Sequence, residues 1–444
     1  MKPAILASVL LVLGVCLVQL LGCNQPDVAS ANVSNQPSLS QQIPATGQNS
    51  EGSIIELFSW WARVGESDAL GALMHEHQKR FPDDNMINAS AELSGLARKT
   101  LRERLLRGEP PDSFQANIGN DLMQWVVVNG QDARESRLLP LDGELVNISE
   151  LRKAVPKTLI DLLSYDGHLY GVPSNIHRIN SVFYNKRVLR DHGLKEPRRI
   201  EDLKVLGERL RRVRIPLFAL GSREPWTLAL FTFENLLVGR EGAQFYQDFF
   251  HGKMQPDDPR VVATLRNALE LLDFANPDHA RLSWLQALEM VVRGQAAMTV
   301  MGDWARVSLS AHGMKLDEDY GELAFPGTDD AFVFTSDAFS LPRNSKNLAG
   351  AKRLLSTMAS REGQKAMNDA KGALSARLDV VPSQDPILEQ KHRLMTRGPL
   401  TLAFSGLVPA QFAEDLGQAL AEMVAEKDPE PVVLSLRSRY VLLR

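Results

Sequence analysis

The sequence predicts an α/β fold, and three observations indicate it. Short apolar runs typical of strands, such as SIIELFSW at 53–60, recur along the chain. Between them lie longer segments, such as EDLKVLGERLRRVR at 201–214, whose apolar residues repeat at helical spacing. Strands that alternate with helices favour helices layered on largely parallel sheets. The chain has 444 residues, 44% of them apolar and 23% charged, which is enough for two or three globular domains.

The first 23 residues have the pattern of a bacterial lipoprotein signal. One lysine precedes an apolar run from Ile5 to Leu21, which is short for a membrane-spanning helix. The run ends in Leu-Leu-Gly-Cys, which resembles the lipobox in which the cysteine is lipidated. We therefore expect a signal peptide at 1–22 and a lipid on Cys23, with an uncleaved anchor helix as the alternative. Either arrangement keeps the bulk of the chain outside the cytoplasm, attached to a bacterial membrane.

The cysteine count and the charge exclude several classes of function. Cys16 and Cys23 are the only cysteines, so the folded part has no disulfide framework, thiol nucleophile or cysteine metal site. A net charge of −4 gives no broad basic field, which argues against a nucleic-acid partner. Residues 23–52 are rich in Ser, Gln, Asn and Pro and poor in large apolar residues, which predicts a disordered tether.

The predicted elements follow in order from residue 53. Pro82 and Gly108 mark the ends of the first two helices, because proline lacks an amide donor and glycine accepts the left-handed cap. In chain order we predict a strand at 53–60, helices at 66–82 and 98–108, a strand at 112–117, a helix or strand at 121–130, a pair of strands around Pro173 within 168–185, helices at 201–214 and 258–275, strands at 295–304 and 331–342, a helix pair at 345–372 and a helix at 408–428.

Seven motifs in this chain, in the same order, resemble those of the extracellular solute-binding proteins of sugar ABC transporters. The resemblance covers roughly residues 53–409 and is closest to the glucose/mannose-binding branch of the maltose-binding-protein-like proteins. The motifs are SWW at 59–61, PPDSFQ at 110–115, HLYGVPSNIHR at 168–178, LSW at 282–284, GQAAMTVMGDWA at 294–305, SDAFSLP at 336–342 and KGALSARLD at 371–379.

The resemblance implies a two-lobed, periplasmic-binding-protein-like fold with crossing hinge strands and a ligand cleft between the lobes. Hinge closure around the ligand is the motion expected of such proteins. By resemblance the crossings lie near 173–177, 331–336 and 377–383. Lobe one then comprises residues 53–174 and 331–380, and lobe two comprises residues 175–330 and 381–444.

The tryptophans match what a sugar cleft needs, because the C–H faces of a sugar ring pack on aromatic planes. By resemblance, the aromatic ligand-binding residues are Trp60, Trp61, Trp284 and Trp304, and Trp226 lies in a loop-like stretch. The alternative for each is burial in a core, the commoner position of a large aromatic side chain. Neighbouring side chains on a strand point to opposite faces, so one of the pair Trp60 and Trp61 is expected to face the cleft more than the other.

The polar site residues supply the donors and acceptors that sugar hydroxyls require. By resemblance, Asp337 and Lys371 contact hydroxyls; the alternatives are a turn residue and a solvated helix end. His177 and Asn175 lie at a crossing, where hinge hydrogen bonding is an equal alternative to ligand contact. Gln115 and Asn117 alternate on one strand, so both side chains share a face. The full polar set is Glu66, Gln115, Asn117, His177, Asp303, Asp337, Lys371 and Ser405.

Two positions depart from the glucose-binding branch. Asn117 and Ser405 stand where that branch carries histidines. Serine is shorter than histidine and opens space, so the site is expected to be larger or to accept a different sugar. We therefore expect a carbohydrate ligand, of the glucose or mannose type.

Other kinds of function receive less support from the sequence. Asp303 and Asp337 are a possible carboxylate pair for glycoside hydrolysis, but sequence gives no distance between them. His75 and His77 are two residues apart and would not share a helix face, so they do not match a metal site. The basic run at 195–214 is interrupted by acidic residues and is read as a solvated helix face, with transporter contact as the alternative.

We therefore predict a non-enzymatic, extracytoplasmic carbohydrate-binding lipoprotein that delivers a monosaccharide or small oligosaccharide to an ABC importer. A sugar sensor for a receptor kinase is the alternative with the same fold, followed by a carbohydrate-active enzyme. The expected partners are the sugar, the transporter's permease subunits and the membrane through the lipid, with no nucleic acid. A monomer without cofactor, metal or catalytic residues is expected.

Overall fold

The computed structural model describes residues 53–62, 65–89, 94–127, 136–382 and 385–443. The predicted signal peptide, Cys23 and the tether lie outside the described residues. The strands, in chain order, are β1 (Ile54–Phe58), β2 (Asn85–Asn88), β3 (Ser113–Asn117), β4 (Ser164–Tyr165), β5 (His168–Leu169), β6 (Val172–Pro173), β7 (Asn175–Arg178), β8 (Ser181–Asn185), β9 (Met298–Met301), β10 (Tyr320–Ala324), β11 (Phe332–Thr335), β12 (Asp337–Ser340), β13 (Leu374–Ser375) and β14 (Leu400–Leu402).

The helices outnumber the strands and cover the sheets. Three of the described helices, α9, α15 and α16, have a glycine as C-cap, and Gly372 after α15 is in the left-handed conformation, with φ of 64°. The helices are α1 (Glu66–Gln78), α2 (Ser94–Arg107), α3 (Asn120–Met123), α4 (Ile148–Ala154), α5 (Lys157–Leu162), α6 (Lys186–Asp191), α7 (Ile200–Arg211), α8 (Trp226–Ala229), a π-helix (Leu230–Leu237), α9 (Val238–Glu241), α10 (Ala243–Phe250), α11 (Pro259–Leu272), α12 (Trp284–Val292), α13 (Ala305–Ala311), α14 (Leu348–Ala359), α15 (Arg361–Lys371), α16 (Pro386–Arg397), α17 (Phe404–Leu407), α18 (Ala410–Glu426) and α19 (Glu430–Arg439), with 3₁₀ turns at His279–Arg281 and Tyr440–Leu443.

The described strands form four sheets, three of which organise the two lobes, while β4 and β5 form a separate two-stranded sheet. The first lobe has a five-stranded sheet in the order β2-β1-β3-β12-β6, and the second has a three-stranded sheet in the order β10-β8-β9. Between them lies a four-stranded sheet in the order β13-β7-β11-β14. β7 and β11 coincide with the first two predicted crossings, and β13 precedes the third, so we call this sheet the hinge sheet.

The expectation of largely parallel sheets is wrong. Among the described strands, parallel pairing is confined to β1 with β2, β1 with β3, and β11 with β14. β12 arrives from the second half of the chain and pairs antiparallel with both β3 and β6. In the second lobe β8 pairs antiparallel with β9 and β10. The alternation of strands and helices along the chain predicts the layers correctly. The direction of β12, however, depends on how the chain returns to the first sheet, and this alternation does not predict it.

Several predicted elements differ in extent from those observed. β1 ends at Phe58, two residues before the predicted end, so the tryptophan pair follows the strand. The segment 168–185 forms four short strands, β5 to β8, rather than a pair. The helical alternative at 121–130 is the one found, as α3, although residues 128–130 lie outside the described residues.

Two large hydrophobic cores correspond to the two lobes. The first gathers side chains such as Ile55, Phe114 and Phe339, and the second gathers side chains such as Phe183, Phe231 and Phe404. α16 belongs to the first core through Leu388 and Met395, although the sequence places 381–444 in lobe two. The lobe boundaries themselves stay a prediction.

The basic segment lies on the surface of the second lobe. α7 buries Leu203, Leu206 and Leu210, while Arg209 and Arg211 are exposed on either side of that stripe. Within the residues that the structure covers, no helix is long and apolar enough to cross a membrane.

A buried carboxyl in the second core makes stability depend on pH. Glu234, in the π-helix, accepts a hydrogen bond at Oε1 from the amide of Phe404 at 2.7 Å. Burial raises the pKa of this carboxyl to about 7, and the amide hydrogen bond offsets only part of the effect. Tyr246 lies close to it, and burial followed by the Glu234 charge raises the pKa of that phenol.

Because the raised pKa disfavours the ionised form in the folded state, we expect the free energy of unfolding to fall as pH rises from about 5 to 8, by on the order of 3 kcal/mol. Glu234→Gln keeps an acceptor for Phe404 without a charge, so it should be more stable than the parent at pH 8 and nearly equal at pH 5. Melting temperatures across this range test the expectation, with the exposed Glu270→Gln as control. Parallel pH profiles for the parent and Glu234→Gln would contradict it.

Candidate functional site

Asp337 is the centre of a buried set of hydrogen bonds between the first sheet and the hinge sheet. Its Oδ1 accepts from Nε2 of Gln115 at 2.6 Å. Its Oδ2 accepts from Nδ2 of Asn175 at 2.8 Å and from Nζ of Lys371 at 3.3 Å. β3, β7 and the last turn of α15 each supply one of these donors. Three separate elements therefore hold one carboxylate in place.

The surroundings of Asp337 keep it ionised. Burial opposes ionisation, but Lys371 and His177, with the hydrogen bonds from Asn175 and Gln115, hold the pKa of the Asp337 carboxyl below its usual value. A carboxylate offers about four acceptor positions, and three are taken by protein donors. The remaining capacity suits a donor such as a hydroxyl.

His177 links Asp337 to a second buried carboxylate. Its Nδ1 lies 2.6 Å from Oδ1 of Asp303, and its Nε2 lies 3.7 Å from Oδ2 of Asp337. The Asp303 Oδ2 accepts from the amide of Arg178 at 3.1 Å and from Nζ of Lys391 at 3.2 Å. Burial opposes the ionisation of Asp303, but Lys391 and His177 hold the pKa of its carboxyl well below the usual range. The two carboxylates thus share one imidazole.

Three tryptophans lie on the second-lobe side of the site. Trp304 packs edge-on to His177 with ring centroids 5.4 Å apart, and edge-on to Trp226 at 6.2 Å. A side chain at Gly302 would lie 2.1 Å from the Trp304 ring, so the indole can fold back only over a glycine. Trp284 begins α12, whose cap is Ser283. The Nε1 of Trp226 is buried without a hydrogen-bond partner among the described residues.

The tryptophan pair at 60–61 lies in the turn after β1, so strand alternation does not set the orientation of its side chains. Trp61 is only 1% exposed and packs edge-on to Phe339 at 5.5 Å. Nζ of Lys371 lies 3.6 Å from the centroid of the Trp61 ring, a cation–π contact. Trp60 is half-buried, with the guanidinium of Arg98 5.0 Å from its ring centroid. Trp61 therefore supports Lys371, whereas Trp60 has one side against the first core and another partly in solvent.

A small cavity lies between the two lobes, beside Lys371. Its volume of about 10 Å³ is close to the space that a single water molecule needs. The cavity has a first-lobe wall, formed by Gly65, Glu66 and Lys371, and a second-lobe wall, formed by Trp284, Trp304, Val307 and Ser308. The two walls touch beside the cavity, since a side-chain carbon added to Gly65 would lie 1.9 Å from Cγ1 of Val307. A larger ligand therefore requires the walls to separate. The cavity is lined by Gly65, Glu66, Trp284, Trp304, Val307, Ser308 and Lys371.

A second contact between the walls lies near the two departures, Asn117 and Ser405. A side-chain carbon on Gly119 would lie 2.5 Å from the carbonyl oxygen of Gly406, and Nδ2 of Asn120 donates to the carbonyl of Leu407 at 2.9 Å. Asn117 and Ser405 are both half-buried and close in sequence to this contact. Neither lines the cavity.

The structure thus divides the predicted residues into three groups. Four line the cavity and four form the buried hydrogen-bond set, while five lie outside both. The first group is Glu66, Trp284, Trp304 and Lys371; the second is Gln115, His177, Asp303 and Asp337; the third is Trp60, Trp61, Asn117, Trp226 and Ser405. Lys371 also belongs to the second group through its contact with Asp337.

The carboxylate pair considered for a glycosidase and the histidine pair considered for a metal site lie in surroundings that do not suit those functions. Asp303 and Asp337 both have lowered carboxyl pKa values, whereas a glycosidase general acid needs a raised one. Nε2 of the buried His77 lies 3.1 Å from Asp84, while His75 is exposed. Within the described ranges, no three His, Cys, Asp or Glu side chains cluster as a metal site would require.

Sequence reasoning missed several residues of the site. Lys391, on α16, contacts Asp303. Gly65 and Val307 make the contact between the walls. The Asp385-Pro386 pair is a helix-start signal that predicts α16, but no sequence signal identifies Lys391 as a partner of Asp303, 88 positions away.

Comparison with known proteins gives a consistent set of similarities. Residues 94–365 match the family model of the bacterial extracellular solute-binding proteins. The chain is 31% identical to an uncharacterised ABC transporter extracellular-binding protein of Pyrococcus horikoshii, over 84% of each protein. It is 29% identical to a probable sugar-binding periplasmic protein of Brucella suis biovar 1, over 73% of this chain and 75% of the relative.

A solved structure of similar shape comes from a bacterial solute receptor with an exclusive preference for β-D-galactopyranose. It aligns with a TM-score of 0.74 at 18% identity, over 88% of this chain and 98% of the receptor. At this identity the likeness concerns the fold, which is the two-lobed architecture described above.

Proposed function

Because the chain belongs to the bacterial extracellular solute-binding protein family, we propose that it binds a carbohydrate between its lobes and delivers it to an ABC importer. One observation carries the proposal. The walls that meet at the cavity combine indole surfaces, Trp284 and Trp304, with charged hydrogen-bonding groups, Glu66 and Lys371. A sugar presents the complementary pair of surfaces, since its ring faces are apolar and its edge carries hydroxyls.

The buried hydrogen-bond set supports the proposal through its polarity. Asp337 is held as an anion with spare acceptor capacity, and Lys371 uses one of its three donors on Asp337. Hydrogen bonds to charged groups contribute about 1.5–3 kcal/mol each, so two such groups at one site favour a polyhydroxylated ligand. A ligand that lacks a matching hydroxyl would leave a buried polar group unpaired, which provides specificity.

The wall contacts support a binding cycle with an open and a closed form. As the cavity stands it accommodates about one water molecule, so a sugar enters only when the lobes move apart at the hinge sheet. Closure then brings Trp284 and Trp304 of one wall towards Lys371 and Glu66 of the other. The closed form presents a surface from both lobes to the permease subunits, with the chain acting as a monomer.

The galactose preference of the structural neighbour belongs to that protein, and this site differs from the glucose/mannose branch at Asn117 and Ser405. We propose a monosaccharide or small oligosaccharide of the glucose or mannose type. Calorimetric titration of the full chain in mild detergent with glucose, mannose, galactose, xylose, maltose and trehalose tests the proposal. Saturable binding of one sugar at micromolar concentration supports it. No detectable binding of any of the six sugars, together with no shift in melting temperature, opposes it.

The anchor at Cys23 remains part of the proposal. We expect the chain from Cys23 onwards to be lipidated, with residues 23–52 as tether, because a lipobox-like sequence follows the apolar run. Cys23→Ser should remove the lipid mass from the purified protein, while Cys16→Ser, inside the same run, should leave the mature protein unchanged. A parent whose mass exceeds that of Cys23→Ser only by the difference between sulfur and oxygen would contradict the anchor.

A further inference from the structure

Lys391 is a buried cation that sits between two carboxylates behind the site. Its side chain is 4% exposed, and its Nζ lies 3.2 Å from Oδ2 of Asp303 and 2.5 Å from Oε1 of Glu322. Glu322, on β10, is equally buried and accepts from the hydroxyl of Ser181 at 3.3 Å. Placing a charge in the interior is costly unless it is paired, so these contacts set the position of Lys391.

The helix that carries Lys391 is attached to both lobes. α16 buries Leu388 and Met395 in the first core. Its cap residue, Asp385, accepts at Oδ1 from the amides of Ile387 and Leu388, and at Oδ2 from Nη2 of Arg306 at 2.6 Å. Arg306 lies on α13 of the second lobe. Apolar packing on one side and three ion pairs on the other therefore fix α16 across the junction of the lobes.

The contact with Asp303 connects this helix to the predicted ligand site. The other carboxylate oxygen of Asp303, Oδ1, lies 2.6 Å from Nδ1 of His177, and Nε2 of that imidazole lies 3.7 Å from Oδ2 of Asp337. His177 also supports the Trp304 indole edge-on. The titratable and charged groups around Asp303 are His177, Arg178 and Lys391, with Glu322, Arg306 and Asp337 further away.

We propose that Lys391 is a positioning residue for ligand binding: by holding Asp303, it fixes the imidazole of His177 and the hydrogen-bonding surface that Asp337 and Trp304 present. This inference rests on the proposed function, since it concerns the same site. Lys391 acts through Asp303, so its removal changes the affinity for the ligand without removing a ligand contact.

The experiment must separate positioning from stability, because removing Lys391 alone takes a buried cation away from two buried carboxylates, Asp303 and Glu322. Lys391→Met combined with Glu322→Gln keeps the local charge balanced, with Glu322→Gln alone as its reference. Lys391→Arg tests rescue by another cation. Lys253→Met removes a surface lysine that pairs with Asp248, and serves as the control for loss of a positive charge.

Two readouts are measured on the full chain. Calorimetry between pH 5 and 8 gives the affinity for the sugar identified by the panel. We expect the double variant to bind at least about tenfold more weakly than Glu322→Gln, equivalent to 1.4 kcal/mol. We also expect it to lose further affinity towards pH 5, because a buried Asp303 without Lys391 is more easily protonated. Lys391→Arg should stay within about threefold of the parent, or roughly half of that tenfold free-energy step.

The second readout needs no sugar. Long-range ¹H–¹⁵N spectra report whether Nδ1 of His177 keeps its proton in the hydrogen bond to Asp303. We expect this signal in the parent, Lys253→Met and Lys391→Arg, and its loss or displacement in the double variant. Equal affinities and unchanged imidazole spectra for the double variant and its reference would overturn the inference. If the parent binds no sugar in the panel, the proposed function fails, and the imidazole spectra alone decide the role of Lys391.

Discussion

Replacing Asp337 with Asn is expected to weaken sugar binding by at least about 100-fold and to lower the free energy of unfolding by about 3 kcal/mol. The substitution preserves the shape of the side chain but removes the charge that Lys371, Gln115 and Asn175 surround. The ammonium of Lys371, 3% exposed, is then left buried against Trp61 without its counter-charge. Calorimetric titration and denaturant unfolding measure the two effects.

A paired substitution separates the two effects. Asp337→Asn with Lys371→Met removes both charges and leaves the Met side chain against the Trp61 ring. We expect this double variant to regain most of the stability, because charge-balanced replacement of a buried pair is often close to neutral. It should not regain affinity, since both groups proposed to contact hydroxyls are gone. An affinity of Asp337→Asn within about threefold of the parent would contradict the proposed role of Asp337, because a threefold change is a binding free-energy difference of well under ~1 kcal/mol.

The stability that Asp337 contributes should also depend on pH. Its carboxyl pKa is lowered in the folded state, so the contribution is present above the ordinary carboxyl pKa and is lost as pH falls through the folded value. Acid unfolding of the parent therefore includes protonation of this carboxylate. In Asp337→Asn this component is absent, which makes the acid limb of the stability profile shallower.

Replacing Gly65 with Ala is expected to prevent closure and to weaken sugar binding by at least about 100-fold, because apparent affinity scales with the closed fraction. The added methyl group would lie 1.9 Å from Cγ1 of Val307 on the opposite wall. Gly65 also has φ of 83°, which a residue with a side chain adopts at a cost of order 1 kcal/mol. The clash, unlike the backbone cost, exists only when the walls meet.

A second substitution on the opposite wall distinguishes these two causes. Val307→Ala removes the methyl groups that a side chain at Gly65 would meet, so adding it to Gly65→Ala should restore most of the affinity. Val307→Ala alone is the control. Small-angle scattering with saturating sugar should show Gly65→Ala more extended than the parent. An affinity that the second substitution does not improve would mean that backbone strain, and not the wall contact, is responsible.

Much of the fold was predictable because its signals are local. The helix at 201–214 is observed as Ile200–Arg211, and the helix at 258–275 is observed as Pro259–Leu272. In each case the apolar period and an acidic or proline start lie within the segment itself. The order of the seven motifs also led to the correct family and the two-lobed fold.

The arrangement of the candidate site was not predictable from the sequence, and its role in binding stays a prediction. Gln115 and Asp337 are 222 positions apart, and they meet because β12 inserts beside β3 in antiparallel register. Trp60 and Trp61 are neighbours in a turn, yet Lys371 from a distant helix decides which indole is covered. These contacts depend on where segments dock, which no local pattern encodes.

The sequence by itself determined the family of the chain and several of its elements, such as the helices observed at Ile200–Arg211 and Pro259–Leu272. Only the tertiary structure decided the strand directions, the contact between Gly65 and Val307, and the place of Lys391 behind Asp303. The physical reason is the range of the forces involved. Helical periodicity and capping act within a few residues, whereas sheet register and buried ion pairs form only when distant segments pack together and exclude water.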